Sequence, residues 1–259
     1  MRSLVICATL MLLARVFRWR IRPLNWRPVA LRSLFFSSAM VLYFGAAGIM
    51  PIAQVGAGLF SAPIFVLVIS ALFLGTRIGI WRVLAVLIGF AGVLLILKPD
   101  AASLSILSAL PLLAGLLYAL NGIATRRRCA GEITVTLLMG LFAALGVWGA
   151  LGLIWFAVFP STPEFTAGFG FFAKGWVTPT PRFLVLLMVQ AFGSLFAVAA
   201  LTRGYQLAEV SFVAVFEYSF LVFAGFWGWI LWRDIPDLQA VFGIVLITVA
   251  GVIITLRSR

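Results

Sequence analysis

The chain contains no histidine and only seven acidic residues among 259. Without imidazole there is no histidine triad, no histidine general base and no histidine-ligated metal. The two cysteines, Cys7 and Cys129, have neither metal-site spacing nor the look of a disulfide framework. No P-loop and no Gly-x-Gly-x-x-Gly occurs, and Gly56-Ala57-Gly58 lies inside an apolar run. The acids are Asp100, Glu132, Glu164, Glu209, Glu217, Asp234 and Asp237, too few for an ATP-driven machine in this chain alone. Neither a cofactor nor a metal site is expected, and the composition points away from an enzyme.

What is abundant is hydrocarbon. Hydrophobic residues make up 64% of the chain, charged residues 10%, and the mean hydropathy is +1.19. Soluble domains carry about a quarter charged residues. This is an all-α integral membrane protein, since the long continuous apolar runs suit helices and not the short alternating strands of a barrel. At roughly 20 residues per crossing, the length holds about nine or ten helices. Nine spans are expected near 3–17, 31–50, 53–74, 80–97, 103–124, 133–157, 182–202, 209–232 and 238–256. The formal charge of +12 does not imply nucleic acid, because the basic residues cap hydrophobic runs.

Their distribution sets an orientation. One side receives Arg15, Arg18, Arg20, Arg22, Arg27, Arg32, Arg77, Arg82, Arg126, Arg127, Arg128, Arg203, Arg257 and Arg259. The other keeps Arg2, Lys98, Lys174, Arg182 and Arg233. Positive residues favour the cytoplasm, so the C-terminus is expected inside and the N-terminus outside. The apolar run from Ser3 to Phe17 is only about 22 Å as a helix. It lacks a small-residue cleavage site and has arginines at its trailing end, unlike a signal peptide.

An internal repeat runs through the chain. Ile52-Ala53-Gln54-Val55 through Leu59-Phe60-Ser61-Ala62-Pro63 aligns with Leu207-Ala208-Glu209-Val210 through Val215-Phe216-Glu217-Tyr218-Ser219. Phe90-Ala91-Gly92-Val93-Leu94 aligns with Val249-Ala250-Gly251-Val252-Ile253. An odd number of helices separates the copies, so they are oppositely oriented, which is the pattern of many secondary transporters.

Met50-Pro51-Ile52-Ala53-Gln54, Ser61-Ala62-Pro63-Ile64-Phe65, Phe73-Leu74-Gly75-Thr76-Arg77 and Gly89-Phe90-Ala91-Gly92-Val93 resemble the EamA domain of the drug/metabolite transporter superfamily. Ala208-Glu209-Val210 through Phe216-Glu217-Tyr218 is similar to the second EamA domain, and Tyr118-Ala119-Leu120-Asn121 with Thr125-Arg126 to the helix opening the second half. The resemblance implies ten helices in an inverted five-plus-five repeat. It assigns residues 1–98 to a first half and 99–259 to a second. This chain is similar to helices two to ten, so either a first helix precedes Met1 or the form has nine. Thr76 stands where the family commonly has Glu, and Val215 where Pro is common.

Seven residues are candidates for substrate binding: Glu217, Tyr218, Tyr118, Asn121, Gln190, Tyr43 and Ser61. A carboxylate about nine residues into a span must face the interior or a wet cavity, which makes Glu217 a candidate for proton coupling or for a cationic substrate group. Glu209 begins the same helix, where an acid favours the dipole. Tyr118 and Asn121, three apart, share a helix face. Gln54 is a further polar group near a span. Ser61 matches Glu217 in the repeat, and Pro63 should break the hydrogen-bond ladder of its helix.

The expected function is secondary transport of a small metabolite (an amino acid, nucleoside-like compound, vitamin or amphiphilic drug) by alternating access. The expected location is a bacterial-type inner membrane, with lipid around the chain and a homodimer among its assemblies. The alternatives are a truncated partner subunit that does not transport, and a membrane-embedded lipid or prenyl enzyme using Asp234 and Asp237.

Overall fold

The computed structural model describes residues 1–19, 21–75, 78–100, 105–159, 178–233 and 235–257. Thr76 and Arg77 of the charged turn, residues 160–177 of the long loop and Asp234 of the aspartate pair lie outside the described residues. All regular structure among the described residues is helical. Helix α1 covers Arg2–Val16, α2 Trp26–Ala47, α3 Ile52–Leu59, α4 Ala62–Leu72 and α5 Ile80–Leu97. After a 3-10 turn at Ile106–Ser108 come α6 Ala109–Arg128, α7 Thr134–Val158 and α8 Pro181–Leu207. The chain closes with α9 Val210–Glu217, α10 Ser219–Trp232 and α11 Leu238–Arg257.

Local chemistry sets several of these boundaries. Pro51 precedes the first turn of α3, and Pro28 sits within the first turn of α2, where its missing N–H costs nothing. Lys98 turns left-handed at φ 48° and Pro99 follows, so α5 stops there. Eight helical stretches among the described residues are long and apolar enough to cross a membrane, matching eight of the nine expected spans. The remaining expectation, 3–17, folds as the 15-residue α1. The chain is a multi-pass helical membrane protein.

One basic residue departs from its expected place. Arg32, counted with the loop arginines, lies seven residues into α2 and is 1% exposed. The helix starts at Trp26, five residues before the expected span, which carries Arg32 a full turn inward.

The helices form two compact units, each drawing on both halves of the sequence. The first comprises Met1–Ile49 and Ala124–Leu207, the second Met50–Ile123 and Ala208–Arg259. In the first, α7 packs on α1 and α2 while α8 packs on α1 and α7. Ile6, Leu10, Leu138, Phe142 and Ala191 make its core.

In the second unit the main contact is α5 against α11. The helices cross where Gly92 and Gly243 meet backbone to backbone. A Cβ on Gly92 would lie 2.6 Å from the Gly243 carbonyl oxygen, and one on Gly243 2.7 Å from that of Gly92. Residue 89 faces 250 while 96 faces 243, so the two helices run antiparallel. They are also the two helices that carry the matched stretches Phe90–Leu94 and Val249–Ile253. Val86, Val93, Val215, Tyr218, Ile247 and Ile254 fill the core around the crossing.

Ion pairs strap both ends of α5. Arg82 pairs with Glu209, the residue capping α9, and Lys98 pairs with Asp237. Asp237 also accepts the Ala240 N–H at 3.0 Å, capping α11. The Lys98 bond holds the Asp237 carboxyl below its ordinary value. That contribution is therefore present above the ordinary carboxylate range and is lost as pH falls through the lowered value. Both pairs are substantially exposed, so they position helix ends more than they stabilise the fold.

The crossing yields a direct test. Gly92→Ala should destabilise the protein by about 1–3 kcal/mol through overpacking. Gly251→Ala, its mate in the repeat, meets nothing within 4 Å and should be neutral or slightly stabilising. Thermal unfolding in detergent measures both, and equal shifts would contradict the crossing described.

Candidate functional site

Two membrane-spanning stretches of the second unit are interrupted, within one residue of positions matched in sequence. The first breaks at Phe60 and Ser61, between α3 and α4, and the second at Tyr218, between α9 and α10. At the first break Ser61 N–H bonds the Gly58 carbonyl at 3.3 Å, and Ile64 N–H bonds that of Ser61 at 2.9 Å. At the second, Tyr218 N–H bonds Val215 and Leu221 N–H bonds Tyr218. These three-residue bonds replace the four-residue ladder, a tightening often found where helices serve as hinges. Pro63 has no N–H, which accounts for the first break as expected from sequence. The second has neither proline nor glycine nearby.

Packing supplies what the sequence does not show. The Tyr218 ring lies against the backbone of α5, so that a Cβ on Gly89 would sit 2.6 Å from the ring. Phe60 stands 6.3 Å from Tyr218 and 6.2 Å from Phe220, ring centre to ring centre, joining the two breaks. Tyr218 is fully buried, yet its hydroxyl has no hydrogen-bond partner among the described residues. A buried polar group in that condition needs an explanation.

Four other sequence candidates, Ser61, Tyr118, Asn121 and Glu217, belong to the same unit. Ser61 is buried and donates its hydroxyl to the Gly58 carbonyl at 2.6 Å. Gly115 of α6 comes so near that a Cβ there would lie 2.9 Å from the Ser61 hydroxyl. Tyr118 follows one turn along α6 and Asn121 one turn beyond it, and both are buried. Glu217, half-buried, is the last residue of α9. Beside the second break, a groove of about 450 Å³ is lined by Phe216, Ser219 and Phe223 with Thr248, Gly251 and Thr255 of α11. Its size suits a small organic molecule.

Tyr43 and Gln190 belong to the other unit. Tyr43 is half-buried on α2 against Phe44, and Gln190 is exposed on α8, its carbonyl accepting the Ser194 hydroxyl. Gln54 is buried at the start of α3 and donates to the Asp100 carbonyl at 3.1 Å. Of the proposed metal pair, Asp237 is engaged with Lys98 and the α11 cap.

Sequence reasoning missed the polar centre of the first unit. Buried Arg32 donates Nε to Thr125 Oγ1 at 3.1 Å, Nη1 to the Leu137 carbonyl at 3.0 Å and Nη2 to Thr202 Oγ1 at 3.0 Å. One guanidinium thereby ties α2, α6, α7 and α8, with Phe36 5.5 Å away. Close by, Gln206 donates to the carbonyls of Cys129 and Glu132 and accepts from Thr134. Glu132 is buried and accepts the N–H groups of Leu24 and Asn25, fixing the start of α2. Burial pushes the Cys129 thiol up to about 11, assisted by Glu132 and opposed by Arg32 and Arg128. Pro28 was the available signal, since a proline in a first helical turn puts Arg32 inside the helix.

Comparison with known proteins places this architecture. The profile of the EamA-like transporter family matches residues 1–98. The pseudopaline exporter CntI of Pseudomonas aeruginosa is 30% identical over 225 residues, 85% of this chain and 72% of the exporter. This chain belongs to the EamA-like transporter family. Other EamA-type relatives are a riboflavin transporter of Vibrio cholerae, 26% identical over 80% of this chain and 63% of its own, and an S-adenosylmethionine uptake transporter of Rickettsia bellii, 23% identical over 88% and 72%. A solved crystal structure shares the fold with a TM-score of 0.75 at 18% identity, covering 98% of this chain and 85% of that one. The protein is thus a membrane transporter and not an enzyme.

Removing the guanidinium should loosen the first unit. Arg32→Ala leaves three acceptors unmet and should cost about 3 kcal/mol or more. Cys129, fully buried, should resist maleimide at neutral pH in the intact protein and become labelled in that variant. Labelling of Cys129 in the unsubstituted protein would contradict the packing described.

Proposed function

We propose that this transporter carries a small organic metabolite through a path that passes the paired helix breaks of the second unit. Glu217, Tyr218, Ser61, Tyr118 and Asn121 are its substrate-contacting residues. The observation that carries the reading is that the two breaks fall within one residue of positions matched in sequence, Ser61 with Glu217, and are joined by Phe60 and Tyr218. Discontinuous helices free backbone groups, and in membrane proteins such backbone is tolerated where it is enclosed or lines a cavity. Tyr43 and Gln190, in the other unit, carry no part of this proposal.

Each residue has a role. Glu217 supplies a carboxylate for a proton or for a cationic substrate group, and alternation between the two neutralises it during transport. The Tyr218 hydroxyl, buried and without a partner among the described residues, donates to a polar atom of the substrate. Phe60 and Phe220 supply aromatic surface beside it. The relatives named for pseudopaline, riboflavin and S-adenosylmethionine support a substrate among amino-acid-like, nucleoside-like and vitamin-like compounds. The clustering of arginines supports a bacterial-type inner membrane with the C-terminus in the cytoplasm, and withdrawing Arg32 from the count leaves the bias intact.

Proteoliposome flux of riboflavin and S-adenosylmethionine across a pH series tests the proposal. Glu217→Gln should abolish transport or remove its pH dependence, and Tyr218→Phe should reduce it several-fold with the fold preserved. A Glu217→Gln protein with the pH profile of the unsubstituted chain would overturn the role of Glu217.

A further inference from the structure

The end of the first unit where α2 and α7 begin is strongly basic. Arg15, Arg18, Arg22, Arg27, Arg127 and Arg203 are exposed there. Glu132 is the one acid among the described residues of this unit, and its carboxylate is buried against the Leu24 and Asn25 N–H groups. Exposed Trp26, at 65%, stands at this rim with the Arg27 guanidinium 5.7 Å from its ring centre.

From Trp26 a groove of about 800 Å³ runs inward between α2 and α7. Ala30 and Leu34 line one wall, Ala144, Val147 and Leu151 the other. The lining from Gly140 to Leu151 extends about 16 Å along α7, close to the thickness of one hydrocarbon leaflet. On its floor sits Ser33, 3% exposed, whose hydroxyl has no partner among the described residues. It is seated above Gly140, where a Cβ would come within 2.7 Å of the hydroxyl oxygen. Ser33 lies about 9 Å deeper than Arg27 along the helix axis. In a glycerophospholipid with its phosphate at Arg27, the ester carbonyls lie on the hydrocarbon side, toward Ser33.

We propose that this groove is a specific site for an anionic glycerophospholipid. Arg27 and the Trp26 indole N–H hold the phosphate, Ser33 donates to an ester carbonyl, and one acyl chain occupies the channel between α2 and α7. Basic residues at a membrane surface attract anionic headgroups in general. The apolar channel with a polar atom in its floor distinguishes a seated lipid from that diffuse attraction, and from free phosphate, which would need only the rim.

The test uses the full chain in nanodiscs of equimolar phosphatidylglycerol and phosphatidylcholine, followed by detergent release and native mass spectrometry. Phosphatidylglycerol should be retained at least fivefold over phosphatidylcholine. Arg27→Gln combined with Trp26→Ala should remove the preference, and so should Ala144→Trp, which fills the channel and leaves the rim intact. Arg257→Gln, which removes a guanidinium stacked on Trp81 in the other unit, should retain it. Unlabelled Cys129 verifies that each variant keeps the first unit folded. No headgroup preference, an unchanged preference in the rim double variant, or full retention in Ala144→Trp would overturn the site.

Discussion

In hydrocarbon, every backbone N–H and carbonyl must find its partner within the chain, and that demand governs this protein. It compels helices, and it makes each interruption of a helix costly. The two interruptions, at Phe60–Ser61 and at Tyr218, persist because the structure meets their groups locally. Three-residue backbone bonds close both gaps, and the Ser61 hydroxyl answers the Gly58 carbonyl. Close approach at Gly58, Gly89 and Gly115 packs neighbouring helices tightly against the breaks. Backbone that is expensive to place and carefully enclosed is the natural location for a transport site.

The same demand applied to charge explains the first unit. A guanidinium inside a helical bundle is tolerable when its N–H groups are matched, and Arg32 meets a carbonyl and two threonine hydroxyls from three other helices. Glu132 and Gln206 perform the equivalent task at the helix ends, where loops deliver unpaired N–H groups and carbonyls. The second unit relies on contact instead, with glycine against glycine at the crossing of α5 and α11 and ion pairs at the two ends of α5.

Much of this was legible from residues alone. Apolar run length marks the spans, Glu209 marks the start of α9, and Pro63 marks the first break because a missing N–H is a local property. The repeat leads from Ser61 to Glu217, one residue from the second break. What was not legible depends on partners distant in sequence. Nothing within Val210–Trp232 announces a break at Tyr218, because the slot that holds its ring is made by Gly89. Gly251 looks like the mate of Gly92, but the crossing uses Gly243, since an antiparallel contact pairs positions that the repeat does not align. Arg32 reads as a loop arginine until Thr125, Leu137 and Thr202 are brought around it.

The account stands on Glu217 facing a water-accessible path and not lipid. The most direct measurement is thiol accessibility in membrane vesicles, with Glu217→Cys placed in a chain whose Cys7 and Cys129 are replaced by alanine. A membrane-impermeant methanethiosulfonate should label position 217, while Phe226→Cys, exposed on α10 and away from the groove lining, should resist it. Equal resistance at both positions would contradict a transport path at the helix breaks.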